Sequence, residues 1–167
     1  MTAFHKIILS FLAAFILTLP AGAAELRLED FFKGRTSATG SFGTITGYSR
    51  QFDVSLHGRW DGRTLVLRED FRYDDGEKDT KTWRFRKTGW NTYIGTREDV
   101  LGEAKVILAG DEAYFNYLVD LDEGEGRNIV RFYDKLTLSA DGQTIVNTAR
   151  VFKGPLPVAW VRVDFKR

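Results

Sequence analysis

No cysteine occurs anywhere in the 167 residues, which excludes disulfides, thiolate metal sites and a thiol nucleophile. A bacterial lipoprotein anchor is excluded with them, since its lipid needs a cysteine at the cleavage point. Histidine is nearly as scarce, with two in the chain. His5 lies in the N-terminal segment and His57 on the polar side of an alternating pattern, so no imidazole metal centre is expected and no cofactor is implied. Excess charge of one sign is missing as well: 24 basic residues face 23 acidic ones. A nucleic-acid partner would need a basic stripe, and simple electrostatic docking on anionic lipid would need a basic surface. No G-x-S-x-G, H-E-x-x-H or phosphate-cradling glycine loop is present. The main uncharged run, Ile7 to Leu19, is about 13 residues long, against the roughly 20 needed to span a bilayer.

That short run has a different use. Met1 to Lys6 is basic, Ile7 to Leu19 is apolar, and Pro20-Ala21-Gly22-Ala23 offers an A-x-A site, the three parts of a secretory signal peptide. Cleavage is expected near Ala23, delivering the product to the periplasm with no transmembrane span after processing. Residues 24–167 then form one domain of ordinary size, 144 residues with 23 basic and 23 acidic side chains.

Within that domain, Leu26 to Phe32 is amphipathic enough for one or two helical turns, and strand follows strand after it. Phe52, Val54, Leu56, Gly58 and Trp60 alternate with Asp53, Ser55, His57 and Arg59, the period of a half-buried strand. Asp61-Gly62 turns the chain, Leu65 to Tyr73 returns, and residues 74–77 turn it again before Lys81 to Lys87. Similar segments cover 92–96, 105–108, 113–121, 128–139, 143–152 and 158–165, with turns at Gly110-Asp111, Gly124-Glu125-Gly126 and Asp141-Gly142. About nine or ten such strands must bury one apolar face each. The expected solution is an all-β fold, a single antiparallel up-and-down barrel of lipocalin-like type with a short N-terminal helix. A two-sheet sandwich is the alternative. An outer-membrane barrel fits poorly, because its outward face must be apolar whereas Arg68, Asp70, Arg72, Arg84 and Arg86 lie in series on the polar faces.

Strand parity then locates the candidate chemistry, because residues two apart share a face and an acid on the apolar face must be paired, neutral or functional. Glu69 falls among Leu65, Leu67, Phe71 and Tyr73, and Asp134 among Val130, Phe132, Leu136 and Leu138. A two-residue Asp61-Gly62 turn would set Leu56 opposite Leu67 and Val54 opposite Glu69. A two-residue Asp141-Gly142 turn sets Leu136 opposite Asn147 and Asp134 opposite Ala149, making Asp134 and Asn147 diagonal neighbours. Tyr73, Tyr93 and Tyr117 are companions that present a ring and a hydroxyl, and Lys81 and Lys153 share the inward parity. Either the acids close a structural network, or they line a pocket and orient the polar end of a ligand. Gly58-Arg59-Trp60 matches a G-x-W pattern, with Trp60 read as core or barrel plug. The acidic run Asp120 to Gly126 lacks the ordered spacing of a calcium loop and reads as an exposed hairpin tip.

Several short blocks together resemble the DUF3833 family of bacterial envelope proteins: Glu69 to Gly76, then Trp83, Tyr93-Ile94-Gly95 and Asp99 to Ala104. The resemblance continues through Gly110, Ala113, Tyr117-Leu118 and Asn147 to Lys153-Gly154. It implies a small exported protein of uncharacterised function. Many members resemble lipoproteins, a pattern from which this cysteine-free chain departs. Where a more acidic, tryptophan-containing block is expected stands Phe132-Tyr133-Asp134-Lys135-Leu136, and only Asp134 carries over. The function expected is binding of a small apolar or amphipathic, lipid-like molecule in the cell envelope, with Glu69, Asp134, Asn147, Tyr73, Tyr93 and Tyr117 as candidate ligand-binding residues. The alternatives are a ligand-free structural or interaction module and, with less support, an enzyme using Glu69 or Asp134 as general acid or base.

Overall fold

The computed structural model of the protein describes residues 24–122 and 128–167. The expected signal peptide with His5, and the expected turn at Gly124-Glu125-Gly126 with most of the acidic run around it, lie outside the described residues. A five-residue helix, α1 (Leu28–Phe32), precedes ten strands: β1 (Gly34–Thr44), β2 (Ser49–Trp60), β3 (Thr64–Tyr73), β4 (Lys78–Lys87), β5 (Thr92–Thr96), β6 (Val100–Ala109), β7 (Glu112–Asp120), β8 (Ile129–Leu138), β9 (Thr144–Lys153) and β10 (Leu156–Lys166). Each strand pairs antiparallel with its sequence neighbours, and β1 pairs with β10 to close an up-and-down barrel. Closure removes the edges a sandwich would leave open.

Parity predicts the two faces of the wall. Glu69 and Asp134 are buried, whereas Arg68, Asp70, Arg72, Arg84 and Arg86 are exposed. One register differs from expectation. Leu56 stands opposite Glu69 and Gly58 opposite Leu67, because the β2–β3 turn is longer than two residues. Asp61 Oδ1 accepts the backbone N–H groups of Arg63 (2.8 Å) and Thr64 (2.6 Å), so Trp60 pairs with Leu65. The shift is two residues, which preserves the face of every side chain. The β8–β9 register is as expected, with Asp134 opposite Ala149 and Leu136 opposite Asn147.

One strand escaped the sequence reading and another is longer than expected. β1 is GRTSATGSFGT, too poor in apolar residues to give a period-two signal, and its strand state comes from ladders on both sides. β6 starts at Val100 instead of Lys105, with a register irregularity between Leu101 and Lys105 where Gly102 has φ 74°. Such a bulge hides the alternation.

The helix closes one end. No side chain caps α1, and a single turn is not stable alone, so packing holds it. Leu26 and Leu28 are fully buried and Phe31 and Phe32 nearly so, each contributing about 1.5–3 kcal/mol relative to exposure. Phe32 meets Phe31 and Phe165 edge-on at 4.9 and 5.3 Å. Trp60, half-buried against this cluster, belongs to the core as expected. The approach of helix to wall requires glycine at 58, since a Cβ there would lie 1.9 Å from the Phe32 carbonyl oxygen. Gly58→Ala should therefore push α1 off its seat and cost about 1–3 kcal/mol, read as a lowered urea midpoint with unchanged slope.

Candidate functional site

Above the plug the barrel is hollow. A cavity of about 450 Å³ occupies the interior, between Leu28 and Phe32 of the plug and the opposite mouth, where Phe42, Tyr48, Arg50, Tyr73 and Leu121 gather. Its lower wall is aromatic. Trp83 and Phe85 stack at 4.9 Å, Phe115 meets Phe85 edge-on at 5.7 Å, and Tyr117 meets Trp83 edge-on at 5.3 Å. Gly95 allows this arrangement, because a Cβ there would press on the Phe85 ring at 2.8 Å.

At mid-depth the apolar wall is interrupted by a polar belt of Glu69, Arg97, Tyr117, Asp134 and Asn147. Tyr117 Oη donates to Asp134 Oδ2 at 2.7 Å. Its ring stacks on Phe132 at 5.2 Å. Arg97 reaches in from the mouth end of β5, its guanidinium 4.6 Å from the Trp83 centroid, and binds Asp99 through Nε (2.6 Å) and Nη2 (3.2 Å). Asp99 also receives Lys81 at 3.6 Å.

Burial in this apolar surrounding pushes the Glu69 carboxyl up to about 7; Arg97 opposes the rise and the charges of Asp99, Glu98 and Asp134 add to it. Burial likewise raises Asp134 to about 6, against the Tyr117 hydrogen bond, the Arg97 charge and the Asn147 amide, which all favour its ionised form. Asn147 does not complete the shell. Asp134 Oδ1 and Asn147 Oδ1 are both buried without a hydrogen-bond partner.

Four of the sequence candidates thus share the belt: Glu69, Asp134, Asn147 and Tyr117. Tyr73 stands higher, at the mouth, under the Arg50 guanidinium at 3.6 Å. Tyr93 is a correction. It faces inward but lies at the closed end, outside the cavity, where its hydroxyl donates to Glu29 Oε2. There Lys87 Nζ meets Glu29 Oε1 at 2.5 Å. Burial would raise Glu29, yet these bonds outweigh it and hold the carboxyl below its usual value. Lys81 is taken by Asp79 (3.3 Å) and Asp99, and Lys153 points outward to Asn128 Oδ1 at 2.9 Å, so neither presents an amine to the cavity. Arg97 and Arg50 were missed by the sequence reading, though parity contains them: Arg97 follows Tyr93 and Gly95, and Arg50 precedes Phe52 and Val54. Both sit just where the apolar alternation fades. Among the described residues, no cluster of three or more His, Cys, Asp or Glu is placed to hold a metal.

Comparison with known proteins gives a family and a fold. The model of the family described as "Protein of unknown function (DUF3833)" matches residues 8–167, and the chain belongs to that family. No curated protein matches the sequence. The S-type phycobiliprotein lyase CPES from Guillardia theta is similar in structure, with a TM-score of 0.60 at 10% identity over 88% of this chain and 94% of the lyase. Rv2717c from M. tuberculosis is similar with a TM-score of 0.56 at 11% identity, over 81% and 92%. At such identities the likeness is one of architecture.

The raised Glu69 carboxyl has a signature in stability. Between its ordinary value of 4.5 and about 7 the folded protein holds a proton that the unfolded chain has released, so stability is greatest at the low end of this window and declines as pH rises through it. Glu69→Gln removes this cost. Relative to the native protein it should gain as pH goes from 4.5 to 8, by about 3 kcal/mol at most, as measured by urea unfolding at both pH values. A pH-independent difference would contradict the assignment.

Proposed function

We propose that the chain is exported to the periplasm and there binds a small apolar or amphipathic, lipid-like molecule inside its barrel. The observation that carries the proposal is the cavity of about 450 Å³, within the range of small-molecule sites and built as they are, from apolar walls with a few convergent polar groups. One end is stopped by α1 and the other bears exposed apolar side chains, Ile45, Tyr48 and Leu121 among them. An apolar chain entering from the mouth would replace empty volume and water with aromatic contacts, while its polar end meets the belt.

The neutral fluorophore N-phenyl-1-naphthylamine should bind the purified protein with a dissociation constant on the order of micromolar. Val161→Trp places an indole on the cavity wall and should weaken that binding about tenfold or more with little change in the urea midpoint. Absence of probe binding by the native protein would leave a ligand-free structural or interaction module as the better account. Export has its own measurement: the intact mass of periplasmic material should begin near Ala24, and a full-length membrane-bound species would remove the periplasm from the proposal.

A further inference from the structure

The hydrogen-bond inventory of the belt is one-sided. Tyr117 spends its proton on Asp134, and Arg97 gives both Nε and Nη2 to Asp99. Among the described residues, the belt's buried atoms without a partner are acceptors, Asp134 Oδ1 and Asn147 Oδ1, and beside them stands the Glu69 carboxyl, 9% exposed and influenced by charges but by no side-chain hydrogen bond. Among the described residues, the unpartnered buried donor that lines the cavity is Arg50 Nε, and it lies at the mouth over Tyr73. A buried acceptor left without a donor costs about 1–3 kcal/mol, so the belt favours whatever brings donors to it.

Charge points the same way. Around the belt stand three carboxyls, Glu69, Asp99 and Asp134, against two cations, Arg97 and Lys81. Lys81 is moreover shared with Asp79, and Glu98 adds a negative field from the β5–β6 turn. β2 contributes only Leu56 opposite Glu69, and β9 only Ala149 opposite Asp134. With every acid ionised, the belt is at least one positive charge short.

We infer that the cavity takes an amphiphile whose head group is a protonated amine, held at mid-depth among Glu69, Asp134 and Asn147 with its apolar tail along the aromatic wall. The inference rests on the reading of the barrel as a binding protein and adds the chemistry of the head group. In the free protein a proton on Glu69 relieves the charge deficit; the bound ammonium takes over that task and the proton leaves. An ammonium has three donors to set against three open acceptors. A carboxylate head would instead bring a further negative charge to a belt where three carboxyls already outnumber two cations, one of which, Arg97, is paired with Asp99.

The experiment compares chains of one length, using dodecylamine, dodecanoate and dodecanol, each below its micellar concentration, to displace N-phenyl-1-naphthylamine from the purified native protein at pH 7. Dodecylamine should displace it at about tenfold lower concentration than either other compound. Calorimetry in buffers of different ionisation enthalpy should show release of roughly half a proton per amine bound, because Glu69 titrates near 7. Glu69→Gln and Asp134→Asn should each reduce the amine preference to about threefold or less. Equal displacement by dodecanoate or dodecanol, amine binding without proton release, or an undiminished preference in both variants would each overturn the inference. The comparison on native protein stands even if a variant fails to fold. Failure of the fluorophore itself to bind would overturn the underlying binding reading, whereas fluorophore binding without head-group preference would overturn this inference alone.

Discussion

The circumference of the barrel governs the rest of the structure. Eight strands enclose an interior that side chains just fill, and the diameter grows with each strand added; ten strands therefore enclose more space than inward side chains can occupy from the wall alone. The chain answers differently at the two ends. At one end α1 supplies Leu28, Phe31 and Phe32 as filling, and Gly58 gives up its side chain so that the helix can sit close. Toward the other end large rings lean on one another, and the volume they leave is the cavity. Site and fold are thus consequences of one dimension.

Two glutamates show what such an interior does to charge. Glu29 and Glu69 are similarly buried, at 7% and 9% exposure. Glu29 has a lysine and a tyrosine aimed at its two oxygens, and it keeps its charge at lower pH than an ordinary carboxyl. Among the described residues no side chain donates to Glu69, and burial carries it the other way. Partnering and depth below the surface together separate the two. The first is a fastening between plug and wall, and the second is an acid that its apolar surroundings hold back from ionising.

Strand parity carried most of what was legible in the sequence. It placed Glu69, Asp134, Asn147 and Tyr117 on the inner face, because a two-residue period survives even a wrong turn length: the β2–β3 register moved by two residues and no side chain changed sides. Parity says nothing about depth along the axis. Tyr93 was therefore grouped with a site from which the plug separates it. The method also depends on apolar contrast, which failed for the glycine-, serine- and threonine-rich β1 and at the strand ends that carry Arg50 and Arg97. Those arginines shape the field of the cavity, and their signal was present in the spacing but below the contrast of their neighbours. Likewise, no local pattern announces that Leu26 donates its backbone N–H to the Gly110 carbonyl at 2.9 Å, since such a contact is set by three-dimensional closure.

The seam between β1 and β10 joins Ser37 to Lys166 and Thr44 to Ala159, pairing the first strand with the last. Every other ladder links sequence neighbours and can form as a local hairpin, but this one joins the first strand to the last and carries a large loop-closure entropy. Until it forms, the glycine-rich β1 and the C-terminal strand are open edges able to pair with another molecule. Completion of the cavity therefore needs the C-terminal strand, without which the other nine strands form an incomplete, edge-exposed barrel.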